Sequence, residues 1–332
     1  MLELDGSVLE GGGQIVRSAV ALSAITEIPI EIRNIRAGRD RPGLRYQHCA
    51  AIQAVASVCN AHVEGCGVGE KTLIFQPEKV ENKSISVDIG TAGSIPLVLH
   101  AWLPVILGCG GEIRLKGGTE VPLSPTIDYF ENVCGRLLRS YGAAIRTEIL
   151  ERGYYPRGGG VVNVAVEPSH MRPISLDDGS AAVDRGIISC SSSLPDHVAA
   201  RQAQSAASAL MEEGIGELPV HFDRRAGPGT GSSITIWVGF KGACALGKRG
   251  LPAEKVGRSA AAALVNELRS EGGVDQYLSD QLLLYLARYG GRYSSSRYTL
   301  HARTMVWLLE QFGFYVEVGE GHPVEFAYAG GS

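Results

Sequence analysis

The stretch Met305-Val306-Trp307-Leu308-Leu309-Glu310-Gln311-Phe312-Gly313-Phe314-Tyr315-Val316 decides the fold class. Met305, Leu308, Leu309 and Phe312 recur at the spacing of a helix with one buried face. Gly313 suits a helix end, and Phe314-Tyr315-Val316 reads as a strand. The same helix, small turn and strand recur twice upstream. In the first copy Ala51, Ile52, Val55, Ala56 and Cys59 form the stripe before Asn60-Ala61-His62-Val63. In the second, Tyr129, Val133, Leu137 and Leu138 precede Tyr141-Gly142-Ala143-Ala144-Ile145. An earlier apolar helix stands before each copy, over 14–25, 92–107 and 277–287. Polar linkers at 36–43, 117–125 and 293–303 separate each helix pair. The repeat is too long for a solenoid. It predicts an α/β (α+β) chain of three βαβ-like units in a pseudo-threefold arrangement.

Extra sequence separates the second and third units. It carries its own strand at 186–192, helix at 197–213, strand at 233–240 and helix at 253–268. The glycine-rich run Arg225-Ala226-Gly227-Pro228-Gly229-Thr230-Gly231 reads as a loop between them. The expected division is therefore a three-repeat domain over 1–174 and 274–332, with a small inserted α/β domain over 175–273.

Composition narrows the function classes. The chain has 332 residues and a formal net charge of −4, so any nucleic-acid site must be a local basic patch. Seven scattered cysteines include no C-x-x-C pair and read as reduced thiols, which predicts a cytoplasmic location. Met1-Leu2-Glu3-Leu4-Asp5-Gly6 lacks the basic and apolar regions of a signal peptide. The most apolar stretch, 95–107, is short for a bilayer and interrupted by Pro96 and Pro104, so no membrane association is expected. No obligate protein partner is evident either.

Three places carry chemistry. His301 lies in Tyr298-Thr299-Leu300-His301-Ala302-Arg303-Thr304, where alternation up to Leu300 reads as a strand that feeds the helix from Thr304. A helix N-terminus attracts phosphate and disfavours imidazolium, so a neutral His301 there is suited to attack phosphorus. Glu10-Gly11-Gly12-Gly13-Gln14 opens the first helix with neither a P-loop nor a G-x-G-x-x-G pattern. Glu10 suits either a divalent cation or the helix dipole. Arg33, Arg36, Arg39, Arg41 and Arg45, with Arg17 on the preceding helix, form a local anion site, and arginine grips phosphate with two parallel bonds. Asp280 and Gln281 suit a ribose or base, or the orientation of His301.

These residues, taken in order, resemble the RNA 3′-terminal phosphate cyclase family over essentially the whole chain. The resemblance rests on Asp5-Gly6 and Glu10 to Ile15 with Arg17-Ser18, on Ile35 to Arg39 with Pro42-Gly43-Leu44, and on Gln47-His48. Gly90-Thr91-Ala92-Gly93-Ser94, Gly117-Gly118-Thr119, Gly153-Tyr154-Tyr155-Pro156, Gly158-Gly159-Gly160, Asp280-Gln281 and the His301 junction complete it. It implies three βαβαββ-type repeats with an inserted domain. It implies ATP as a cofactor, Mg²⁺ or Mn²⁺ as the metal, and RNA with a 3′-terminal phosphate as the partner. Members pass AMP from ATP to a histidine, then to the RNA 3′-phosphate, and the neighbouring 2′-hydroxyl closes a 2′,3′-cyclic phosphodiester. His301 matches the nucleophile and Glu10 the metal-associated glutamate. Arg17, Arg36, Arg39 and Gln47 match residues around the phosphate end. Pro125, Tyr277, Leu278, Ser279, Asp280 and Gln281 match the nucleotide pocket. Two positions depart: His100 stands where some relatives have a glutamine near the nucleotide, and the segment around Cys244 lacks an aromatic that in some relatives stacks on adenine. The alternatives are a non-catalytic cyclase-like protein of ribosomal RNA processing and an enolpyruvyl-transfer enzyme. The first lacks the histidine, and the second needs neither the histidine nor an ATP pocket.

Overall fold

The computed structural model describes residues 1–176 and 184–330; residues 177–183, inside the expected insertion, and 331–332 lie outside the described residues. The first part runs β1 (Leu2–Asp5), α1 (Gly13–Thr26), β2 (Ile30–Arg33), α2 (Tyr46–Val58), β3 (His62–Glu64) and β4 (Leu73–Gln76). A helical crossover makes β1 and β2 parallel, the tight connection makes β3 and β4 antiparallel, and the sheet order is β1-β2-β4-β3.

The second part is β5 (Ser84–Asp88), α3 (Ile95–Ile106), β6 (Gly111–Gly117), α4 (Ile127–Tyr129), α5 (Arg136–Ser140), β7 (Ala144–Glu151) and β8 (Gly160–Glu167). A π-helical turn, Phe130–Gly135, joins α4 to α5. Its sheet order, β5-β6-β8-β7, has one parallel pair followed by two antiparallel pairs, as in the first sheet.

After β9 (Ile174–Ser175) the chain forms β10 (Arg185–Ser192), α6 (His197–Glu212), β11 (Val220–Arg225), β12 (Gly231–Val238), β13 (Lys241–Leu246) and α7 (Ala253–Leu268). These make a sheet of order β11-β10-β12-β13, with a hydrophobic cluster of its own built on Ile187, Leu210, Ile234, Ile236 and Leu264. The chain then returns with α8 (Gln276–Tyr289), β14 (Gly291–Ser295), α9 (Leu300–Gln311), β15 (Glu317–Val318) and β16 (Val324–Tyr328). The last sheet, β15-β16-β14-β9, reaches back across the insertion to recruit β9, which runs parallel to β14. Among the described residues the architecture is mixed α/β with four small sheets. One hydrophobic cluster runs from Leu4 to Phe326 and joins the helices of the first, second and last parts. Among the described residues no helix is long and apolar enough to cross a membrane.

The repeat helices lie where the apolar spacing put them, but two strand readings fail. Alternation up to Leu300 does not make a strand: β14 ends at Ser295, and Thr299 Oγ1 caps α9 by accepting from the Ala302 N–H at 3.1 Å. Nor is 313–316 a strand. Gly313 has φ +84°, and the Phe314 N–H returns to the Leu309 carbonyl at 3.0 Å, so the helix cap consumes these residues and pairing starts at Glu317. Strands β11 and β13 escaped the pattern because Val220–Arg225 is largely exposed and polar, and Lys241–Leu246 is built from small residues.

Candidate active site

The N-terminal turns of α1 and α9 meet beside α8, which brings His301 and Asp280 to the two ends of one side chain, Gln14. Gln14 is the second residue of α1 and His301 the second residue of α9. Gln14 is buried, and its amide spans the gap. Its Nε2 donates to Asp280 Oδ2 at 2.8 Å, and its Oε1 lies 2.9 Å from His301 Nδ1. Asp280 reaches this point from the fifth position of α8, one turn inside the helix.

Electrostatics follow from this packing. Burial lowers the His301 pKa, and the guanidinium charges of Arg17 and Arg39 lower it further, so the ring favours the neutral form. The helix end anticipated from sequence is present, and burial and the two cations act on the same ring. Burial pushes Asp280 up to about 7, opposed by the charge of Arg17. Arg17 is 7% exposed, and burial lowers it to about 10 while Asp280 pulls the other way. Its Nε is buried without a hydrogen-bond partner. A desolvated cation with an unused donor is a strong anion attractor.

Glu10 occupies the turn before α1. Its backbone N–H donates to Thr304 Oγ1 of α9 at 3.2 Å. Arg39 donates to the Glu10 carbonyl at 3.0 Å and pairs with carboxylate Oε1. The other oxygen, Oε2, is buried and has no partner. Among the described residues no group of three or more His, Cys, Asp or Glu is placed to hold a metal, so a cation beside Glu10 would have one or two such ligands. That fits Mg²⁺, which keeps waters and substrate phosphate oxygens as its other ligands.

The glycines of this turn serve the protein's own side chains. A Cβ on Gly12 would lie 1.9 Å from Glu10 Oε2, and one on Gly13 would lie 2.0 Å from His48 Nε2. His48, the third residue of α2, accepts the Arg45 N–H on Nδ1 at 3.0 Å. Burial and then Arg17, Arg36 and Arg45 hold its pKa well below the ordinary histidine range. His48 and Gln14 are site residues that the chemical reading passed over. The signal was present: each is a polar side chain in the first turn of an apolar helix. Asp275, the N-cap of α8, also went unnoticed. It accepts from the Tyr129 hydroxyl, the Gly242 N–H and the Tyr277 and Leu278 N–H groups, which joins three parts of the chain.

The remaining predicted residues are placed unevenly. Arg36, at φ +55°, spends Nη1 on the carbonyls of Arg41 and Gly43 at 2.8 and 2.9 Å, and so shapes the arginine loop. Gln47 Oε1 accepts the Ser94 N–H at 3.3 Å, and Ser94 Oγ bonds Ser124 Oγ beside Pro125, which ties α2 to the entry of α4. Tyr277 is 59% exposed on the first turn of α8, with Cys244 of β13 close enough to act on its charge. Gln281 Nε2 donates to the Tyr277 carbonyl at 2.8 Å. Leu278 is fully buried in the core and offers no side-chain surface to a ligand. Ser279 is also buried, but its Oγ has no partner. His100 is 7% exposed; burial, with Arg17, lowers it to about 3, and its Nε2 is buried without a partner. Arg17, His100, Ser279 and Glu10 thus each keep a buried polar atom unsatisfied, where buried polar groups are normally paired. A separate cavity of about 600 Å³, lined in part by Glu267, Arg269, Glu271, Arg297 and His322, includes none of the predicted residues, and its acidic and basic groups balance.

Comparison with known proteins bears on this geometry. The sequence model of the family described as RNA 3′-terminal phosphate cyclase matches residues 8–317. A protein of Methanococcoides burtonii named RNA 3′-terminal phosphate cyclase is 44% identical, with 94% of each chain covered. Proteins of the same name from Archaeoglobus fulgidus and Thermococcus gammatolerans are 42% and 43% identical, covering 98% and 97% of this chain and 99% and 96% of their own. The chain therefore belongs to the RNA 3′-terminal phosphate cyclase family.

Proposed function

We propose that this chain converts an RNA 3′-terminal phosphate to a 2′,3′-cyclic phosphodiester, using ATP, through an enzyme–histidine–AMP and then an RNA-adenylate intermediate. The observation that carries the reading is His301. It is a partly exposed histidine at a helix N-terminus, held toward its neutral form by partial burial and by Arg17 and Arg39. His301 Nε2 attacks the α-phosphorus of ATP, and pyrophosphate leaves. The RNA phosphate then takes AMP from the histidine. Finally the adjacent 2′-hydroxyl attacks the activated phosphorus intramolecularly, with a large proximity advantage; its proton passes to water, and the P–O bond to AMP breaks as AMP leaves.

Arg17, Arg36, Arg39 and Gln47 hold the crowded phosphates. Pro125, Tyr277, Asp280, Gln281 and His100 line the nucleotide side, backed by Ser279 and the core residue Leu278. Glu10 would hold Mg²⁺ or Mn²⁺, which supplies charge compensation to the departing pyrophosphate when bound. The matching strand order of three sheets supports three βαβαββ repeats in a pseudo-threefold arrangement, over 1–174 and 274–332. The separate core behind β10 and α7 supports an inserted domain within 175–273. Seven unpaired thiols fit a reducing cytoplasm.

The test is incubation with ATP labelled at the α-phosphate. Wild type should gain acid-labile label, and His301→Ala should gain none while keeping its circular dichroism. Undiminished labelling of His301→Ala would sink the assignment. Failure of wild type to label at all would instead favour the non-catalytic role.

A further inference from the structure

We propose that Gln14 is a positioning residue that fixes the tautomer of His301, keeping the proton on Nδ1 and the Nε2 lone pair free for phosphorus. The inference rests on the reading of His301 as the nucleophile. Gln14 is 3% exposed, and both ends of its amide are engaged, by Asp280 at 2.8 Å and by His301 Nδ1 at 2.9 Å. An amide has one donating and one accepting end. Above about pH 7 Asp280 is mainly ionised; a carboxylate only accepts, so Asp280 then takes the NH₂ end at 2.8 Å and turns Oε1 toward the imidazole. Two acceptors cannot share a hydrogen bond, so Nδ1 must carry the proton. The lone pair is then on Nε2, the ring nitrogen that Gln14 does not hold. Asp280 thus acts on the histidine through Gln14.

The choice of a neutral acceptor has a chemical reason. A carboxylate at position 14 would orient the ring as well, but it would raise the imidazole pKa and fill the lone pair with a proton. Gln14 orients without that penalty, while Arg17 and Arg39 act in the opposite sense. The proton count closes. His301 Nε2 forms the P–N bond, and the P–O electron pair leaves with pyrophosphate. The Nδ1 proton stays, so the adenylylated ring is cationic and a good leaving group. When an RNA phosphate oxygen forms its bond to phosphorus, the P–N pair returns to Nε2 and the ring is neutral again, with the same proton on Nδ1. The groups facing Asp280 are Arg17 of α1, Asp275 of α8, Tyr293 of β14 and Cys134 of the π turn. Arg17, buried beside it, is the one cation among them and favours the accepting, charged carboxylate.

The tautomer is readable directly. In the full chain with ¹⁵N-labelled histidine, the His301 signals, assigned by their loss in His301→Ala, should show a protonated Nδ1 and a bare Nε2 near pH 8. Gln14→Leu should shift the ring toward the Nε2–H tautomer and slow self-adenylylation about ten- to hundredfold, with ATP binding retained. Gln14→Glu should keep the Nδ1–H tautomer but move the acid limb of the pH–rate profile to higher pH. A wild-type spectrum dominated by Nε2–H overturns the proposal, as does a Gln14→Leu enzyme with wild-type rate and tautomer. If Gln14→Leu does not fold, the wild-type spectrum and the Gln14→Glu profile still decide. Label that survives in His301→Ala overturns the parent reading; label lost there but undiminished in Gln14→Leu overturns only the role of Gln14.

Discussion

Arg152 and Asp128 share a two-pronged ion pair, Nη1 to Oδ2 at 2.7 Å and Nη2 to Oδ1 at 2.9 Å, with the arginine 2% and the aspartate 3% exposed. The same guanidinium donates to Glu120 at 2.6 Å and to Asp223 of β11 at 2.7 Å, so it links the second sheet region to the β10–β13 sheet. Burial pushes Glu120 up to about 8, against the attraction of Arg152. Removing one partner of a buried charge group leaves the others uncompensated. Arg152→Met should therefore cost about 3–5 kcal/mol. Arg269→Met removes an exposed pair with Glu213 and should cost at most about 1 kcal/mol. Urea denaturation of both variants checks the contrast; equal small losses would mean the buried cluster adds nothing.

Gly13→Ala should destabilise the chain, although alanine ordinarily improves a helix by about 1 kcal/mol. The new methyl would lie 2.0 Å from His48 Nε2, and His48 is buried. Overpacking of this kind costs about 1–3 kcal/mol. In a His48→Ala background the clash is gone, and Gly13→Ala should then cost little. Matching losses in the two backgrounds would count against this account.

His100 makes stability depend on acid. Its folded pKa, about 3, lies below the ordinary 6.5 because of burial and the Arg17 charge. Below 6.5 the unfolded chain binds a proton that the folded chain refuses, so stability is present above 6.5 and falls as pH drops toward 3. One proton corresponds to about 1.4 kcal/mol per pH unit. His100→Gln should flatten the slope of unfolding free energy between pH 6.5 and 5 by roughly that amount per unit. An unchanged slope would place the acid sensitivity elsewhere, with His48 the next candidate because its pKa is lowered in the same direction.

Glu10 and Arg39 should behave as one unit. Arg39 holds both the carbonyl and one carboxylate oxygen of Glu10. Arg39→Ala should slow reaction with RNA 3′-phosphate about ten- to hundredfold, the effect of a lost charge-assisted bond of about 1.5–3 kcal/mol. It should also disturb the step that depends on Glu10. Glu10→Ala should slow self-adenylylation most, with partial rescue by added Mg²⁺ or Mn²⁺. The double variant should lose less than the product of the single losses, with a coupling of about 0.5 kcal/mol or more. Single-turnover kinetics of each step measure this, and strict multiplicativity would show that the pair acts independently.

Much of this protein is legible in its sequence, because it rests on short-range periodicity. The apolar stripes of α2, α9 and the helical stretch from Ile127 to Ser140 follow from 3.6-residue spacing, and α7 from its spacing and flanking glycines and prolines. The motif residues Glu10, Arg17, Asp280 and His301 stand in order along the chain, so the family was visible too. What the sequence could not determine were pairings between distant segments. The β9 strand is two residues long and becomes a strand only because β14 lies beside it after the insertion. Tertiary structure alone decided that Gln14 bridges Asp280 and His301 across separations of 266 and 287 residues. It also decided that Gly13 yields its space to His48, and that Arg39 turns toward Glu10. Local propensity acts through neighbours three or four residues away. Hydrogen bonds, burial and the pKa shifts they produce depend on which surfaces the folded chain brings together.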